Sequence, residues 1–377
     1  MPYSLLMLWR DRRRYLPAVL AVSFSAVLIA AQCGLLFGLL LCASVPIDCS
    51  TADVWITTYD APALVQAHPI PQSWVMRAAV LPEVARTEDY LLGLALCHKP
   101  HQGAVEPCIL VGTRTDEGSL GVLAQLAPEV REGLTEPGNV VIDEWDLSVL
   151  GLTTGVGEYI EINEQRMRVI GTVRGYQGLN FVWVFCSQAT AKMVLPDLAR
   201  RPHLTSFGLV KCHNPDDAAQ VARRLQECYP EMGVYTRDDF SYRVRTYWLI
   251  RSKGGTVMIC TVVLALLVGL VVTSQTLYGA VLASQREHAV LDAMGMPRRR
   301  LVGLVLAQSF WIGLIGAIIA LPVVIVFGKA ALLLQTTVVL PPWLLLATVA
   351  GTMLMAMLSG VSALRSLRHV EPTLLLR

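Results

Sequence analysis

The residues that most resemble a chemical site are three acids in one short segment, Asp143, Glu144 and Asp146. Neighbouring carboxylates can serve as general acid and base, but that chemistry needs a nucleophile or substrate group within hydrogen-bond reach. The sequence contains no GxSxG or HExxH motif and no Cys/His spacing that suits zinc. We therefore interpret the acids as a solvated turn before a helix, and we predict no catalytic and no metal-binding residues.

Nucleotide chemistry is also not expected from this chain. Gly328 and Lys329 come nearest to a phosphate-binding loop, but they lack the preceding glycine and the following Ser or Thr of GxxxxGK[ST]. Four histidines are scattered through segments that we predict to be exposed loops: His98, His101, His203 and His213. The chain is therefore predicted not to be an enzyme and to carry no cofactor of its own.

The composition indicates a membrane protein. Of the 377 residues, 54% are hydrophobic and only 16% are charged, whereas soluble domains carry roughly 25% charged residues. Asp and Glu concentrate in residues 48–240, and the basic residues cluster beside the apolar runs. No basic tract resembles a nucleic-acid-binding arm, which argues against a nucleic-acid partner.

Four apolar runs without Asp, Glu, Lys or Arg are long enough to cross the hydrocarbon core, which takes roughly 20 helical residues. The first run is too long for the apolar region of a signal peptide, and Leu41 before Cys42 fits a lipoprotein cleavage site poorly. We therefore expect a retained anchor and four transmembrane helices, at residues 16–43, 256–283, 301–328 and 338–364.

The flanking charges predict the orientation of these spans. Basic residues fill the N-terminal segment 1–15, the loop 284–300 and the tail 365–377, so both termini should be cytoplasmic in an inner membrane. Four basic residues beside the second span disagree with this assignment: Arg243, Arg245, Arg251 and Lys253. Long translocated domains largely escape the charge rule, so the other three sites decide the orientation.

Residues 44–250 are predicted to form a large extracytoplasmic α+β domain between helices 1 and 2. The segments 85–100 and 106–114 alternate like a β-hairpin, and a helix is predicted to begin at Asp216 with Asn214 as a further cap. A strand-rich insertion is expected at about 138–190. Cys97 and Cys108 are the first candidates for a disulfide, and isolated buried thiols are the alternative.

Small and polar residues inside the spans predict helix–helix contacts. Gly34 and Gly38 form a GxxxG pair, and Gln32 and Gln275 carry amides within apolar runs. Such residues allow close approach or hydrogen bonds between helices, within one chain or across a dimer. A polar path for substrate is the alternative interpretation of the glutamines.

The loop between the second and third spans carries the most specific pattern. Residues 287–294 can form one amphipathic helical segment, Gly295 is a natural helix stop, and Pro297 can begin the next helix. Such a short helix, fixed rigidly to the third span, could receive a push from a soluble partner; the alternative is a simple connector on the lipid surface. The residues that we predict to form this coupling elbow are Glu287, His288, Leu291, Ala293, Met294 and Gly295.

The elbow pattern E-x-x-x-L-x-A-M-G resembles that of MacB/FtsX-type ABC transporter permeases, the superfamily that includes lipoprotein-releasing permeases. The closing segment, with Arg365, Pro372 and Leu376, is similar to the C-terminal ending of that family. DevC-like exporter permeases look closest, because residues 271–281 and the segments AQCGLLFGLL and ADVWIT resemble theirs. Asp292 departs from the Lys or Arg that DevC-like proteins often have there.

This resemblance implies a homodimer bound to a separate ABC ATPase subunit, which would bind ATP and Mg and receive the elbow. It further implies mechanotransmission: ATP-driven closure would move helices 1 and 2 and work the external domain. Export of a lipid-like, glycolipid, peptide or drug substrate through a periplasmic adaptor and a TolC-type outer-membrane channel would follow. The alternatives are an FtsX- or lipoprotein-release-like permease that works without export, and a membrane-anchored receptor or scaffold without an ATPase.

Overall fold

The computed structural model describes residues 12–100, 102–121, 126–152, 154–176, 181–283, 298–333 and 338–367. The chain divides into two compact units. The membrane unit comprises residues 1–38 and 255–377, and the intervening domain comprises residues 39–254.

Four helices in the described part of the chain are long and apolar enough to cross a membrane. Their bounds are α1 (Arg12–Asp48), α9 (Lys253–Ala283), α10 (Arg298–Leu333) and α11 (Pro342–Leu367). Each run lacks charged side chains over the length that would lie in hydrocarbon, and a helix satisfies most of its backbone polar groups internally, as a membrane span requires. The predicted fold class, four transmembrane helices with a large α+β domain between the first two, is confirmed.

The intervening domain is built on eleven strands. They are β1 (Val54–Thr58), β2 (Ile70–Pro71), β3 (Val84–Lys99), β4 (Gln102–Thr113), β5 (Asn139–Asp143), β6 (Tyr159–Ile162), β7 (Gln165–Val173), β8 (Val182–Ser187), β9 (Leu204–Thr205), β10 (Phe207–Cys212) and β11 (Met232–Thr236). Nine of these strands form one sheet in the order β11-β1-β10-β3-β4-β8-β5-β7-β6, and β2 pairs with β9 separately.

The helices of this domain are short apart from α7 and α8. They are α2 (Gln72–Ala78), α3 (Pro128–Gly133), α4 (Asp146–Val149), α5 (Gln188–Val194), α6 (Pro196–Arg200), α7 (Ala218–Cys228) and α8 (Arg237–Ile250), with 3₁₀ turns at Leu64–Gln66 and Pro215–Asp217. The predicted cap at Asn214 accepts a hydrogen bond from the backbone of Asp216 at 3.3 Å. That cap opens the 3₁₀ turn, so α7 begins at Ala218, two residues later than predicted.

The sheet closes on itself at one end, because β6 also pairs with β3 at Cys97↔Ile162. Strands β3, β4, β8, β5, β7 and β6 thereby form a six-stranded barrel with a filled interior. The strand-rich insertion was expected at about 138–190, but the barrel also needs β3 and β4 from outside that range. The reason is the length of β3, whose first half pairs with β10 and whose second half pairs with β4.

The strands that lie between two cores are buried on both faces, which explains their continuous apolar sequences. In β8, Val184 faces the barrel interior while Phe185 faces a second core. In β1, Trp55 joins that second core while Ile56 faces α2 and α7. The second core also holds Ile47 at the end of α1, so the last turns of this helix belong to the domain.

Candidate coupling site

All the residues predicted to form the coupling elbow, from Glu287 to Gly295, lie outside the described residues. The elbow therefore stays a prediction. The structure does describe the two helices at the points where the chain enters and leaves the intervening domain. They are α1, at whose end the domain begins, and α8, which precedes α9.

Within the intervening domain, the end of α1 is joined to α8 by a network that we call the stalk clamp: Ser44, Asp48, Ser241 and Arg245. The Asp48 carboxylate accepts hydrogen bonds from the hydroxyls of Ser44 and Ser241, both at 2.7 Å. Arg245 donates from Nη2 to Asp48 Oδ2 at 2.6 Å and from Nε to Ser44 Oγ at 2.8 Å. A carboxylate with three donors and a guanidinium with two acceptors form a directional, charge-assisted joint.

The sequence interpretation missed this clamp, although it contained a signal. Arg245 is one of the basic residues that disagree with the predicted orientation, and Asp48 is the first acid after the long uncharged first span. Arg243 is also engaged by the domain, since its guanidinium lies 5.0 Å from the ring centroid of Tyr235 and its Nε donates to Ala61 O at 3.3 Å. Both arginines thus have partners within the domain, which explains their place beside a span.

The two connections to the membrane unit differ in continuity. The first connection is α1, which runs as one helix from Arg12 to Asp48. The second is interrupted, because α8 ends at Ile250 and α9 begins at Lys253. Between them, Ser252 Oγ donates to Trp248 O at 2.6 Å and caps the end of α8. The helix is therefore continuous along the first connection, whereas the second connection has a break between Ile250 and Lys253.

A barrel loop reaches the end of α1 at Tyr176. Tyr176 and Cys49 pack in the same core, and burial is the main reason why the pKa of the Cys49 thiol is raised. The backbone N–H of Tyr176 donates to Asp143 at 2.8 Å, and that of Trp183 donates to Asp146 at 2.8 Å. These two carboxylates therefore bind backbone N–H groups on either side of residues 177–180.

The interpretation of Asp143 and Asp146 as a solvated turn is wrong. Asp143 is fully buried and Asp146 is 6% exposed. Burial raises the pKa of both carboxyls and brings that of Asp146 to about 7, against the lowering effect of the Trp183 N–H. Among the three acids, Glu144 is the one that pairs with a cation, at 2.7 Å from Arg174. The backbone N–H groups that bind these two carboxylates come from residues some 30 positions away in the chain. The local sequence therefore does not reveal that Asp143 and Asp146 are buried.

Domain stability is predicted to fall as pH rises through about 7, the pKa of Asp146 in the folded protein. An ordinary aspartate titrates near 3.9, so the folded state binds the additional proton between about pH 4 and 7. The stabilisation that the protonated Asp146 gives to the folded domain is complete below about pH 4 and is lost above about pH 7. Thermal unfolding of the full chain in detergent at pH 5 and pH 8 measures this difference.

Asp146→Asn should flatten that dependence, because the amide oxygen can still accept from Trp183 and no longer titrates. Asp197→Asn, which changes an exposed aspartate, is the matched control and should leave the difference between pH 5 and pH 8 intact. An unchanged pH dependence in Asp146→Asn would contradict the assignment.

Glu88 organises a second loop against the same core. It is 2% exposed and accepts hydrogen bonds from the N–H of Leu120 at 2.6 Å and of Arg114 at 2.8 Å. Burial raises the pKa of this carboxyl despite those bonds. Thr51, just after the end of α1, donates its backbone N–H to Leu120 O in this loop at 3.0 Å. By holding the loop in place, Glu88 therefore supports the end of α1.

The nine cysteines all carry free thiols. Cys97 and Cys108 both lie in the barrel core, where the neighbouring Cys97 and burial raise the pKa of the Cys108 thiol. Cys97 Sγ donates a hydrogen bond to Glu106 O at 3.4 Å. The structure thus places the predicted pair together as buried thiols.

The predicted packing residues of the spans have different surroundings. A Cβ on Gly34 would lie 2.9 Å from the side chains of Val338 and Leu340, and Val339 N donates to Gly34 O at 3.2 Å. Gly38 is buried, so the GxxxG face packs within the chain. Gln32 is half-buried, whereas Gln275 is exposed on α9.

Comparison with protein families gives one match: residues 259–372 match the family described as FtsX-like permease C-terminal. The matched region includes α10, α11 and the segment of the predicted elbow. A search of curated proteins found no match.

The periplasmic region of MacB from Actinobacillus actinomycetemcomitans is 11% identical to this chain, with a TM-score of 0.37; the match covers 52% of this chain and 95% of that one. The extracellular domain of the noncanonic ABC-type transporter YknZ from Gram-positive bacteria is 11% identical, with a TM-score of 0.34; that match covers 49% and 98%.

The family match falls on the segment whose pattern predicted the family. The same chain has four helices that are long and apolar enough to span a membrane, with a large domain between the first two. Residues 259–372 are therefore similar to the FtsX-like permease C-terminal family, in agreement with the resemblance to MacB/FtsX-type ABC permeases that the sequence pattern indicated.

Proposed function

We propose that this chain is the transmembrane subunit of an ABC exporter of the MacB/DevC type, and that it acts as a homodimer in the inner membrane with both termini in the cytoplasm. A separate ATPase subunit binds ATP and Mg and docks on the elbow, Glu287–Gly295. The observation that carries this proposal is the family match over residues 259–372, which includes the elbow. It agrees with the lack of a phosphate-binding loop in the sequence.

The stalk clamp supports a mechanotransmission mechanism. Closure of the ATPase dimer would shift α1 and α9, and the intervening domain would receive that shift through the end of α1 and through α8. Because Asp48 and Arg245 tie these two helices together at 2.6 Å, both inputs reach the domain core as one displacement. A periplasmic adaptor and a TolC-type outer-membrane channel would carry the cargo onward.

The cargo that fits this proposal is a lipid-like, glycolipid, peptide or drug molecule taken from the periplasm or the outer leaflet. The spans carry no Asp, Glu, Lys or Arg within their apolar runs, so they offer no charged group for ion-coupled transport. The FtsX-like family match also supports a second candidate, a permease that performs periplasmic work without export.

The elbow decides whether the chain works with an ATPase. We expect the double variant Glu287→Arg, Leu291→Asp to abolish ATPase binding. The first substitution reverses the charge of the elbow, and the second places a carboxylate on the face that would be buried in a groove of the ATPase. The measurement is co-purification with the ATPase subunit encoded nearby, followed by ATP turnover in lipid nanodiscs. Glu117→Arg, on an exposed residue of the intervening domain, serves as the charge control.

Loss of binding in the elbow variant alone supports the ABC subunit. If no ATPase binds the unaltered chain, or if the elbow variant turns over ATP normally, the chain is a membrane-anchored receptor or scaffold instead.

A further inference from the structure

The four basic residues beside the second span do not all have partners. Arg243 and Arg245 are engaged within the intervening domain, as described above. Arg251 and Lys253 are exposed, and neither side chain has a hydrogen-bond or ion-pair partner among the residues that the structure describes. We call Arg251 and Lys253 the junction pair, because they lie at the break between α8 and α9.

The start of α9 places the junction pair at the membrane surface. Lys253 is the first residue of α9, and the apolar run of this helix begins four residues later at Val257. Four helical residues rise about 6 Å, and the head-group layer extends roughly 5–7 Å beyond the hydrocarbon on each side. Lys253 therefore lies at the level of the lipid head groups, and Arg251 is two residues from it.

The last turn of α8 has the composition of a membrane interface. Tyr247 and Trp248 are half-buried there, and Ile250 is 64% exposed. Tyrosine and tryptophan are enriched at the level of the lipid head groups, where an apolar ring and a polar tip both find suitable surroundings. Residues 247–253 therefore combine aromatic, aliphatic and basic side chains at the height that the span indicates.

The two cations are close enough to bind a single phosphate. Residues two positions apart have Cα atoms at most about 7 Å from each other, and both side chains are long. The backbone between them is held, since the N–H groups of Arg251 and Ser252 donate to Tyr247 O at 2.8 and 3.2 Å. A guanidinium and an ammonium on one fixed turn suit the oxygens of a phosphodiester.

The surrounding charges favour an anionic ligand. The sequence contains no Asp or Glu between Asp239 and Glu287. Asp48, at the end of α1, is already paired with Arg245 at 2.6 Å. Lipid phosphates are the anions that a bilayer supplies at the level of the head groups, and basic residues near an anionic membrane surface are attracted to it.

We propose that the junction pair binds the phosphate of an anionic phospholipid, in the leaflet on the side of the intervening domain. The lipid holds the break between α8 and α9 at the membrane surface, and its acyl chains remain in the bilayer. This inference requires only that α9 spans the membrane, and it does not depend on the proposed function.

Native mass spectrometry of the full chain in detergent, titrated with phosphatidylglycerol, measures the affinity for the first bound lipid. Removing one cation should weaken binding about fivefold, so Arg251→Gln with Lys253→Gln should weaken it about 25-fold. The matched control is Arg200→Gln with Arg201→Gln, which removes two exposed charges at the end of α6 and should leave the affinity unchanged. Arg251→Lys with Lys253→Arg keeps both charges and should retain most of the binding.

Thermal unfolding of each variant separates loss of the lipid site from loss of the fold. If the double variant does not fold, each single substitution to glutamine should still weaken binding about fivefold. Phosphatidylcholine, whose head group has no net charge, should bind the unaltered chain more weakly than phosphatidylglycerol does.

Equal affinities for the two lipids would overturn the inference, and so would equal losses in the double variant and its control. Displacement of phosphatidylglycerol by an equal concentration of inorganic phosphate would indicate a site for soluble anions and would overturn the lipid assignment. Binding of the junction pair to an acidic protein segment in place of phosphatidylglycerol would overturn it as well.

Discussion

Replacing Arg245 with alanine is expected to uncouple movement of the intervening domain from ATP binding. The substitution removes both donors that hold Ser44 and Asp48, so the end of α1 and α8 can move separately. We expect the coupling between ATP and domain movement to fall about tenfold, within the roughly 5- to 150-fold range that such couplings span. ATP turnover should continue, because the substitution lies in the intervening domain and leaves the elbow residues unchanged.

Distances between paired spin labels in the ATPase complex measure this movement. A spin label on Cys228, which is exposed in the intervening domain, reports the separation of the two copies with and without ATP, in a Cys260→Ser background. Arg237→Ala is the control, because this arginine lies on the same helix but pairs at 3.6 Å with its exposed neighbour Asp238.

The charge-swapped variant, Asp48→Arg with Arg245→Asp, should recover part of the ATP-dependent change in distance. An unaltered change in Arg245→Ala would show that the clamp is not needed for transmission.

Trp55→Ala should cause a large loss of stability in the intervening domain. Trp55 is fully buried, and its ring makes edge-to-face contacts with Tyr90 at 5.3 Å and Phe207 at 5.7 Å between centroids. Truncating a buried aromatic to alanine removes its transfer free energy and leaves a cavity, at a cost of about 3–5 kcal/mol. β1 is paired on both sides, with β10 and β11, which leaves little room for the core to collapse.

Thermal unfolding followed by near-ultraviolet circular dichroism measures the effect. Tyr59→Ala is the matched control, since Tyr59 directly follows the same strand but its side chain is 65% exposed. That control should stay within about 0.5 kcal/mol of the unaltered protein. Equal losses in the two variants would contradict the central position of Trp55 in the core.

The parts of the fold that local patterns could predict were those fixed by neighbouring residues. Charge-free runs predicted the four spans, because hydrocarbon excludes ionised side chains wherever the helix lies. Alternation predicted the hairpin of β3 and β4, whose strands follow each other directly in the chain. Asn214 could be identified as a cap from its type and position, since capping uses backbone groups only two residues away.

The parts that could not be predicted depend on distant partners. The parallel pairing of β4 with β8 brings Cys108 against Val182, and no periodicity encodes that choice. Asp146 resembles a surface acid until the backbone of Trp183 is placed beside it. The stalk clamp joins residues that are 197 positions apart, so Asp48 and Arg245 gain a common role only when the domain has folded.

The sixteen residues of β3 have a further consequence for protein engineering. One part of β3 pairs with β10, and the other part pairs with β4 in the barrel. The chain therefore has no boundary at which the barrel could be removed. Deleting residues 138–190 would strip β4 of its partner β8 and open a long apolar edge, a recognised route to aggregation. Shortened versions of this protein should therefore keep the barrel whole, and a reporter protein is better inserted at an exposed turn such as residues 135–137.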